Sequence, residues 1–204
     1  MMPPSTRLAG VGETAAIAEI YNQGIEDRVA TFETRRRAPE EIEGWFDGTH
    51  PVVVVEEEGR VLAFAATSTY RPRECYAGIA EFSVYVARDA RGRGAGRRAM
   101  EGLLAAASDA GFFKLVSRVF PENQASLGLL RSLGFREVGR YEKHGRLDGV
   151  WRDVVIVERL IPANLGGDSP APPCIGGNRG APQRSDGPDR DAGQTVLVSP
   201  PRES

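Results

Sequence analysis

Arginine and glycine alternate in one short run of the sequence, Arg91-Gly92-Arg93-Gly94-Ala95-Gly96. Residues 81–87 before the run are rich in β-branched and aromatic side chains, and residues 97–107 after it carry apolar side chains at helical spacing. The pattern predicts a strand, a glycine turn and a helix that begins on the glycines. Because the first amides of a helix lack intrahelical acceptors and lie at its positive end, such a turn can bind a phosphate group.

Two other phosphate-binding motifs do not fit this run. Arg97 stands where the third glycine of a dinucleotide-binding G-x-G-x-x-G motif belongs, and the G-K-[ST] ending of a nucleoside-triphosphate loop is missing. A glycine turn that only permits close packing, or an arginine-glycine tract that binds RNA, is the alternative. The order of strand, loop and helix favours the phosphate site.

A second candidate feature is the pair Arg71 and Arg73, which flanks Pro72 at the end of a predicted strand. A guanidinium can bind a carboxylate or a phosphinate through two parallel hydrogen bonds, and the proline stiffens the turn that carries both arginines. The pair therefore suits a small anionic amino acid. Two solvated arginines in a loop are the alternative.

Glu81 is the candidate base. Strand alternation puts its side chain on one face with Ser83 and Tyr85, opposite Phe82. Acylation of an amine requires the neutral amine, whereas an α-ammonium group is largely protonated near neutral pH. A carboxylate could take that proton directly or through one water molecule. An exposed glutamate at a strand end is the alternative.

Composition limits the class of protein. The chain has 204 residues, a formal net charge of -2 and 41% hydrophobic residues, which fits one domain with some additional chain. Cys75 and Cys174 lie in different compositional regions and have no partners at metal-ligand spacing, so we expect a reducing compartment and no metal. Without a long apolar run or a signal pattern, we expect a cytoplasmic protein that binds neither membranes nor nucleic acid.

The elements that must position these residues follow from periodicity. Residues 1–163 are predicted to form one domain of the α/β (α+β) class, and residues 164–204, dominated by Gly, Pro, Asp, Ser and Arg, a disordered tail. The predicted elements are strand 6–9, helices 13–25 and 39–46, strands 52–56, 60–70 and 81–87, a helix through 107, strand 114–119, helix 123–133, and a closing hairpin of 136–141 with 150–160.

Six segments in this order resemble one known family: Ile20-Tyr21-Asn22, Thr31-Phe32-Glu33, Tyr70-Arg71-Pro72-Arg73, Glu81-Phe82-Ser83-Val84-Tyr85-Val86, Arg91-Gly92-Arg93-Gly94-Ala95-Gly96 and Asn123-Gln124-Ala125-Ser126. They resemble the phosphinothricin N-acetyltransferases of the GNAT superfamily, whose members include enzymes that act on methionine sulfoximine and arsinothricin. The resemblance implies a mixed, mostly antiparallel central sheet flanked by helices. It also implies acetyl-CoA as cofactor, a slot for its pantetheine arm between two splayed strands, and a homodimer.

The resemblance also implies roles for individual residues, with Glu81 as the catalytic base. The residues implied to bind acetyl-CoA are Val84, Tyr85, Val86, Arg91, Gly92, Arg93, Gly94, Ala95, Gly96, Arg97, Asn123 and Ser132. Those implied to bind substrate are Phe32, Glu33, Arg71, Pro72, Arg73, Phe82 and Ser83. A simple helix cap is the alternative for Asn123, and a core position or a contact from a dimer partner is the alternative for Phe32.

One position departs from the family pattern. Relatives often place a tyrosine or histidine five residues before the phenylalanine of the Gly-Phe pair, where it can protonate the departing thiolate, and here that residue is Leu130. Water, Tyr141, another group or no acid at all are the remaining options. His144, a lone histidine in the last hairpin, is not assigned to catalysis.

The sequence therefore predicts an acetyl-CoA-dependent N-acetyltransferase in which the amine attacks the thioester directly. The expected substrate is the α-amine of a small glutamate-like amino acid, which makes the protein a resistance enzyme. A transferase that acts on a protein N-terminus or on another metabolite amine is one alternative, although the arginines argue against polycationic substrates. A sensor that binds acyl-CoA without catalysis is the other, and Leu130 favours it whereas Glu81 does not.

Overall fold

The computed structural model describes residues 3–166. The strands are β1 (Ser5–Leu8), β2 (Val52–Glu57), β3 (Arg60–Thr69), β4 (Ile79–Val86), β5 (Lys114–Val119), β6 (Arg136–Leu147) and β7 (Val150–Leu160). The helices are α1 (Thr14–Asp27), α2 (Pro39–Glu43), α3 (Ala95–Asp109) and α4 (Gln124–Ser132), with short 3-10 turns between several elements. The order of elements agrees with the order that periodicity predicts.

The seven strands form one sheet in the order β1-β2-β3-β4-β5-β7-β6. Every neighbouring pair is antiparallel except β4 and β5. The predicted mixed, mostly antiparallel sheet flanked by helices is therefore confirmed. Among residues 3–166, no helix is long and apolar enough to cross a membrane.

Both faces of the sheet are covered near its centre. Tyr21 of α1 meets Tyr85 of β4 with ring centroids 4.8 Å apart, so α1 covers the face that carries Tyr85. On the other face α3 lies very close to the sheet at Gly102, where an added Cβ would come within 2.5 Å of Thr6 and 3.0 Å of Val53. Coverage on both sides explains why the valines of β2 are all buried.

The sheet opens between its two parallel strands. β4 and β5 pair only at Ile79–Lys114, Ala80–Leu115 and Glu81–Val116, although β4 continues to Val86. Beyond Glu81 the edge of β4 that faces β5 has no strand partner. The predicted slot between splayed strands is therefore present, and it leads toward the glycine run.

The β6–β7 hairpin differs from its prediction. β6 continues to Leu147 because the chain passes through a bulge between Tyr141 and Gly145, where Lys143 has a φ of +49°, and pairing then resumes. Most of β6 is exposed on both faces. The result is a long two-stranded ribbon at one edge of the sheet.

Two predicted boundaries also move. The helix predicted at 39–46 ends at Glu43, before Gly44. Asn164 donates hydrogen bonds to the carbonyls of Ser108 (2.7 Å) and Phe112 (2.9 Å). The chain therefore still packs against the domain just past the predicted domain end at 163. Residues 167–204, which hold most of the predicted tail and Cys174, lie outside the described residues, and Cys75 is an exposed free thiol.

Candidate active site

The glycine turn forms the N-terminus of α3. Gly92 and Gly94 have φ angles of +74° and +83°, the left-handed region in which glycine carries the least strain. The first backbone bond of the helix runs from Arg98 N to Gly94 O, so the amides of residues 95–97 precede the helical ladder. No atom lies within 4 Å of an added Cβ at Gly92 or Gly94, so the approach to the turn is open. These features fit a bound pyrophosphate.

The side chain of Arg91 connects this turn to α1 and to the end of β4. Its Nη2 donates to Asp27 of α1 at 2.6 Å, and its Nε donates to the carbonyl of Val86 at 3.2 Å. Arg88 donates to the same Asp27 at 2.8 Å. Since Nε and Nη2 of Arg91 are engaged here, a contact with the cofactor is left to its backbone and to Nη1, and it stays a prediction.

Three other predicted cofactor residues lie around the turn. Arg97 Nη2 donates to Ser132 Oγ at 2.6 Å, which brings together two residues that are 35 positions apart. Arg93 is exposed and lies 3.5 Å from Glu57. Both guanidiniums are therefore on the rim of the turn, where a phosphate would meet positive charge.

Asn123 caps α4. Its side-chain oxygen accepts a hydrogen bond from the Ser126 amide at 3.1 Å, and its amide group donates to the carbonyl of Val29 at 3.4 Å. The cap that was one interpretation of Asn123 is therefore confirmed. A contact between Asn123 and the cofactor stays a prediction.

Leu130 is fully buried in the main core, which confirms that this position of α4 is apolar packing here. Tyr141, an alternative acid, lies in the exposed ribbon with its ring 5.2 Å from that of His144. Leu130 is therefore not an acid, and Tyr141 is not buried. Water, Tyr141, another group or no acid at all therefore stay the alternatives for the proton of the leaving thiolate.

The predicted base is held by an ion pair that periodicity does not reveal. Arg118 of β5 donates to both oxygens of Glu81, from Nη2 at 2.8 Å to each and from Nε at 3.2 Å to one. The side chain of Glu81 is 8% exposed and that of Arg118 22% exposed. Glu81 is thus buried at the end of the β4–β5 pairing and is not the exposed strand-end glutamate of the alternative.

Arg118 was not among the predicted site residues. Its sequence signal is weak. Lys114, Val116 and Arg118 share the less buried face of β5, as residues two positions apart do on any half-exposed strand. Only the parallel pairing of Val116 with Glu81 shows that this face of β5 adjoins the base. That pairing joins distant parts of the chain.

Arg71 and Arg73 lie in the loop after β3 and are exposed. The guanidinium of Arg71 is 5.3 Å from the ring of Tyr70, a cation–π contact. The last residue of β3, Thr69, pairs with Ala80, the neighbour of Glu81. The loop of residues 71–73 therefore begins at the same end of the sheet as Glu81.

Phe82 and Ser83 are separated by the sheet. The Phe82 ring packs 4.9 Å from Phe135 and is fully buried, on the face opposite Glu81. Because the core occupies that face, a contact between Phe82 and substrate is left to its backbone, and its predicted role stays a prediction. Ser83 is buried on the same face as Glu81, so its predicted role stays open.

Phe32 and Glu33 lie in the loop after α1. Phe32 packs edge-on against Phe120, with ring centroids 4.9 Å apart, in a small cluster with Leu147 and Val154 beside the β6–β7 ribbon. Glu33 pairs with Arg37 at 2.6 Å. The alternative of a core position for Phe32 is therefore supported, and its partly buried ring joins the loop to the ribbon.

Two phenols lie beneath the site on the α1 face. Burial raises the pKa of Tyr85 well above its ordinary value, and burial together with the charge of Glu33 raises the pKa of Tyr21 to about 12. Both phenols stay neutral at physiological pH. They supply packing under Glu81 and Ser83 and no charge.

A separate cleft of about 860 Å³ lies between α3 and the β1–β2 edge. His50 and Arg98 are among its lining residues, but none of the predicted site residues lines it. Within residues 3–166, no cluster of three or more His, Cys, Asp or Glu side chains could hold a metal ion.

Known proteins are similar to this chain in sequence and in fold. Residues 17–135 match the model of the acetyltransferase (GNAT) family. The chain is 32% identical over 162 residues to an L-methionine sulfoximine/L-methionine sulfone acetyltransferase of Pseudomonas paraeruginosa, covering 77% of this chain and 94% of the relative.

Two solved structures have the same fold. A GNAT superfamily phosphinothricin acetyltransferase of Sinorhizobium meliloti, solved in complex with acetyl-CoA, has a TM-score of 0.73 and 28% identity, covering 78% of this chain and 89% of that one. A ribosomal-protein-alanine N-acetyltransferase of Brucella melitensis has a TM-score of 0.73 and 31% identity, covering 77% and 99%. With the open glycine turn and the splayed strands, these matches establish that the chain belongs to the GNAT family, as an acetyl-CoA-dependent N-acetyltransferase.

Proposed function

We propose that this N-acetyltransferase acetylates the α-amine of a small glutamate-like amino acid, such as phosphinothricin, methionine sulfoximine or arsinothricin, and thereby confers resistance to such compounds. The observation that carries the proposal is the buried carboxylate of Glu81 where β4 and β5 separate, at the same end of the sheet as the loop of Arg71 and Arg73. A carboxylate at the same end of the sheet as two exposed guanidiniums suits a substrate that carries an amine and an anion. The name of the Pseudomonas relative supports the same substrate class.

The roles of the residues follow from their positions. The amides at the start of α3 and the rim arginines Arg93 and Arg97 would hold the pyrophosphate, and the edge of β4 at residues 84–86, which has no partner in β5, would offer its backbone groups to the pantetheine arm. Glu81 binds the substrate ammonium and takes its proton, directly or through one water molecule. When bound, acetyl-CoA supplies a thioester that the neutral amine can attack. Leu130 is apolar, so this side chain would supply no proton to a leaving thiolate.

The ribbon of β6 and β7 supports the homodimer. Val138, Tyr141, Val150 and Trp151 are each 48–56% exposed on it, and the guanidinium of Arg146 lies 4.5 Å from the Trp151 ring. A two-stranded ribbon with apolar side chains in water gains stability when a partner covers it. We propose that a second copy of this chain does so, and that the dimer works in the cytoplasm.

The test is a panel of amines with the purified protein and acetyl-CoA, in which free thiol is followed. Phosphinothricin, methionine sulfoximine and arsinothricin should be turned over, whereas glutamate serves as the close analogue and spermidine and an N-terminal alanine peptide represent other amine classes. Arg71→Ala and Arg73→Ala should each lower kcat/KM about 10-fold or more for the active compounds, the size of one lost charge-assisted hydrogen bond. Preference for the peptide would overturn the proposal in favour of a protein N-terminus.

A further inference from the structure

We infer that Arg118 is the receptor for the α-carboxylate of the substrate, so that Glu81 and Arg118 together recognise the zwitterionic head group of a free amino acid. The inference rests on the proposed function and deepens it. It assigns the α-carboxylate to Arg118 and leaves Arg71 and Arg73 for the far end of the substrate, which is an anion in phosphinothricin and arsinothricin and a polar, uncharged sulfoximine group in methionine sulfoximine.

The hydrogen bonds of Arg118 leave part of its guanidinium available. Nε and Nη2 donate to Glu81, whereas no residue between 3 and 166 accepts a hydrogen bond from Nη1. The side chain is 22% exposed, against 8% for Glu81, so solvent reaches the arginine more readily than the carboxylate. A guanidinium has five N–H donors in one plane, and the two on Nη1 can still bind a carboxylate.

The position of the pair suits a ligand that enters between the strands. Glu81 and Val116 are the last paired residues of β4 and β5, and Arg118 follows on the same face of β5 as Val116. The ion pair therefore connects the two strands at the point where they part. This is also where the attacking amine must reach the cofactor.

The charges of an amino acid complement this pair. Its ammonium and carboxylate are attached to one carbon atom, so the two groups can lie against Glu81 and Arg118 at the same time. A peptide N-terminus carries an ammonium but has an amide in place of the α-carboxylate, and it would leave Nη1 without an anion. Arg118 therefore favours free amino acids over peptides.

A purely structural ion pair offers a matched control. Lys114 lies on the same face of β5 as Arg118, and its Nζ is 3.1 Å from Glu158. The side chains of that pair are 24% and 10% exposed, close to the values for Arg118 and Glu81. Lys114→Gln therefore removes an ion pair of similar burial without touching Glu81, and Glu158 keeps its second partner, Arg136.

The experiment compares methionine sulfoximine with its decarboxylated analogue, 3-(S-methylsulfonimidoyl)propylamine, in the full-length protein. In Arg118→Gln, we expect kcat/KM for the amino acid to fall about 10- to 100-fold, mainly through KM, because one charge-assisted contact is lost. For the amine, kcat/KM should change less than about threefold. Arg118→Lys should recover part of the loss, and Lys114→Gln should keep the wild-type ratio of the two substrates.

Other outcomes test the role of Arg118 separately from the proposed substrate class. An equal fall for both substrates in Arg118→Gln, as is expected for Glu81→Gln, would show that Arg118 only orients Glu81, and it would overturn the inference alone. Loss of acetyl-CoA affinity or of thermal stability beyond that of Lys114→Gln would have the same meaning. A wild-type protein that acetylates neither compound would overturn the proposed substrate class, and the inference with it.

Discussion

At the scale of single residues, the two phenols under the site link stability to pH. Burial holds the pKa of Tyr21 at about 12, above the ordinary value near 10. The folded protein therefore keeps this proton between pH 10 and 12, whereas the unfolded chain loses it, so Tyr21 stabilises the fold below pH 10 and that contribution is lost as pH rises toward 12.

We expect Tyr21→Phe to flatten this alkaline decline. The free energy of unfolding of the wild type should fall above pH 10 by up to about 1.4 kcal/mol per pH unit from this residue, and the variant should lack that part. Urea unfolding at pH 8, 10 and 11 measures the difference. Parallel curves for the two proteins would show that Tyr21 does not carry the effect.

Single residues also mark the limit of prediction from sequence. Strand alternation was enough to place Glu81 opposite Phe82, because both lie on one strand. The same alternation could not find Arg118, because its role depends on an ion pair with Glu81 of β4, which lies more than thirty residues away in the chain. It also could not show that the Arg91 side chain is held by Asp27.

At the scale of elements, the turn before α3 depends on glycine for its conformation and the interior of α4 does not. Gly94 has a φ of +83°, whereas Gly128 is an exposed residue inside a helix, and neither has an atom within 4 Å of an added Cβ. The two sites therefore isolate the backbone effect of one substitution.

The order of elements was predictable because each strand and helix has its own period, but the bulge in β6 was not, since bulges break the period.

We expect Gly94→Ala to destabilise the protein by about 1–2 kcal/mol and to weaken acetyl-CoA binding, because alanine is strained in the left-handed region. Gly128→Ala should stabilise it by about 0.5–1 kcal/mol, because alanine is the better helix former. Chemical unfolding and calorimetric titration with acetyl-CoA measure both effects. A stabilising Gly94→Ala would mean that the turn relaxes to another conformation.

At the scale of the whole molecule, the exposed ribbon and the opposite edge of the sheet provide a test of assembly. Trp151 is 48% exposed on the ribbon, and Val11 is 64% exposed next to β1, at the far edge. A charge inside an apolar interface is costly, whereas a charge on a free surface is not. The same substitution at the two sites should therefore have different consequences.

We expect the wild type to run in solution at twice the 22.1 kDa mass of one chain, and Trp151→Asp to shift it to the single-chain mass. Val11→Asp should leave the mass of the wild type. Light scattering after size-exclusion chromatography measures each mass. A wild type that is monomeric at all concentrations would contradict the proposed dimer.

The brief pairing of β4 with β5 also has a mechanical consequence. Four strands on one side and three on the other meet along only three residue pairs, so few backbone hydrogen bonds connect the two parts of the sheet, although both parts share one hydrophobic core. A ligand that contacts both β4 and β5 adds contacts across this junction, and it stabilises the folded protein in proportion to the logarithm of its concentration once that concentration exceeds its Kd. We therefore expect bound acetyl-CoA to slow the proteolysis of the protein as well as to supply its acetyl group.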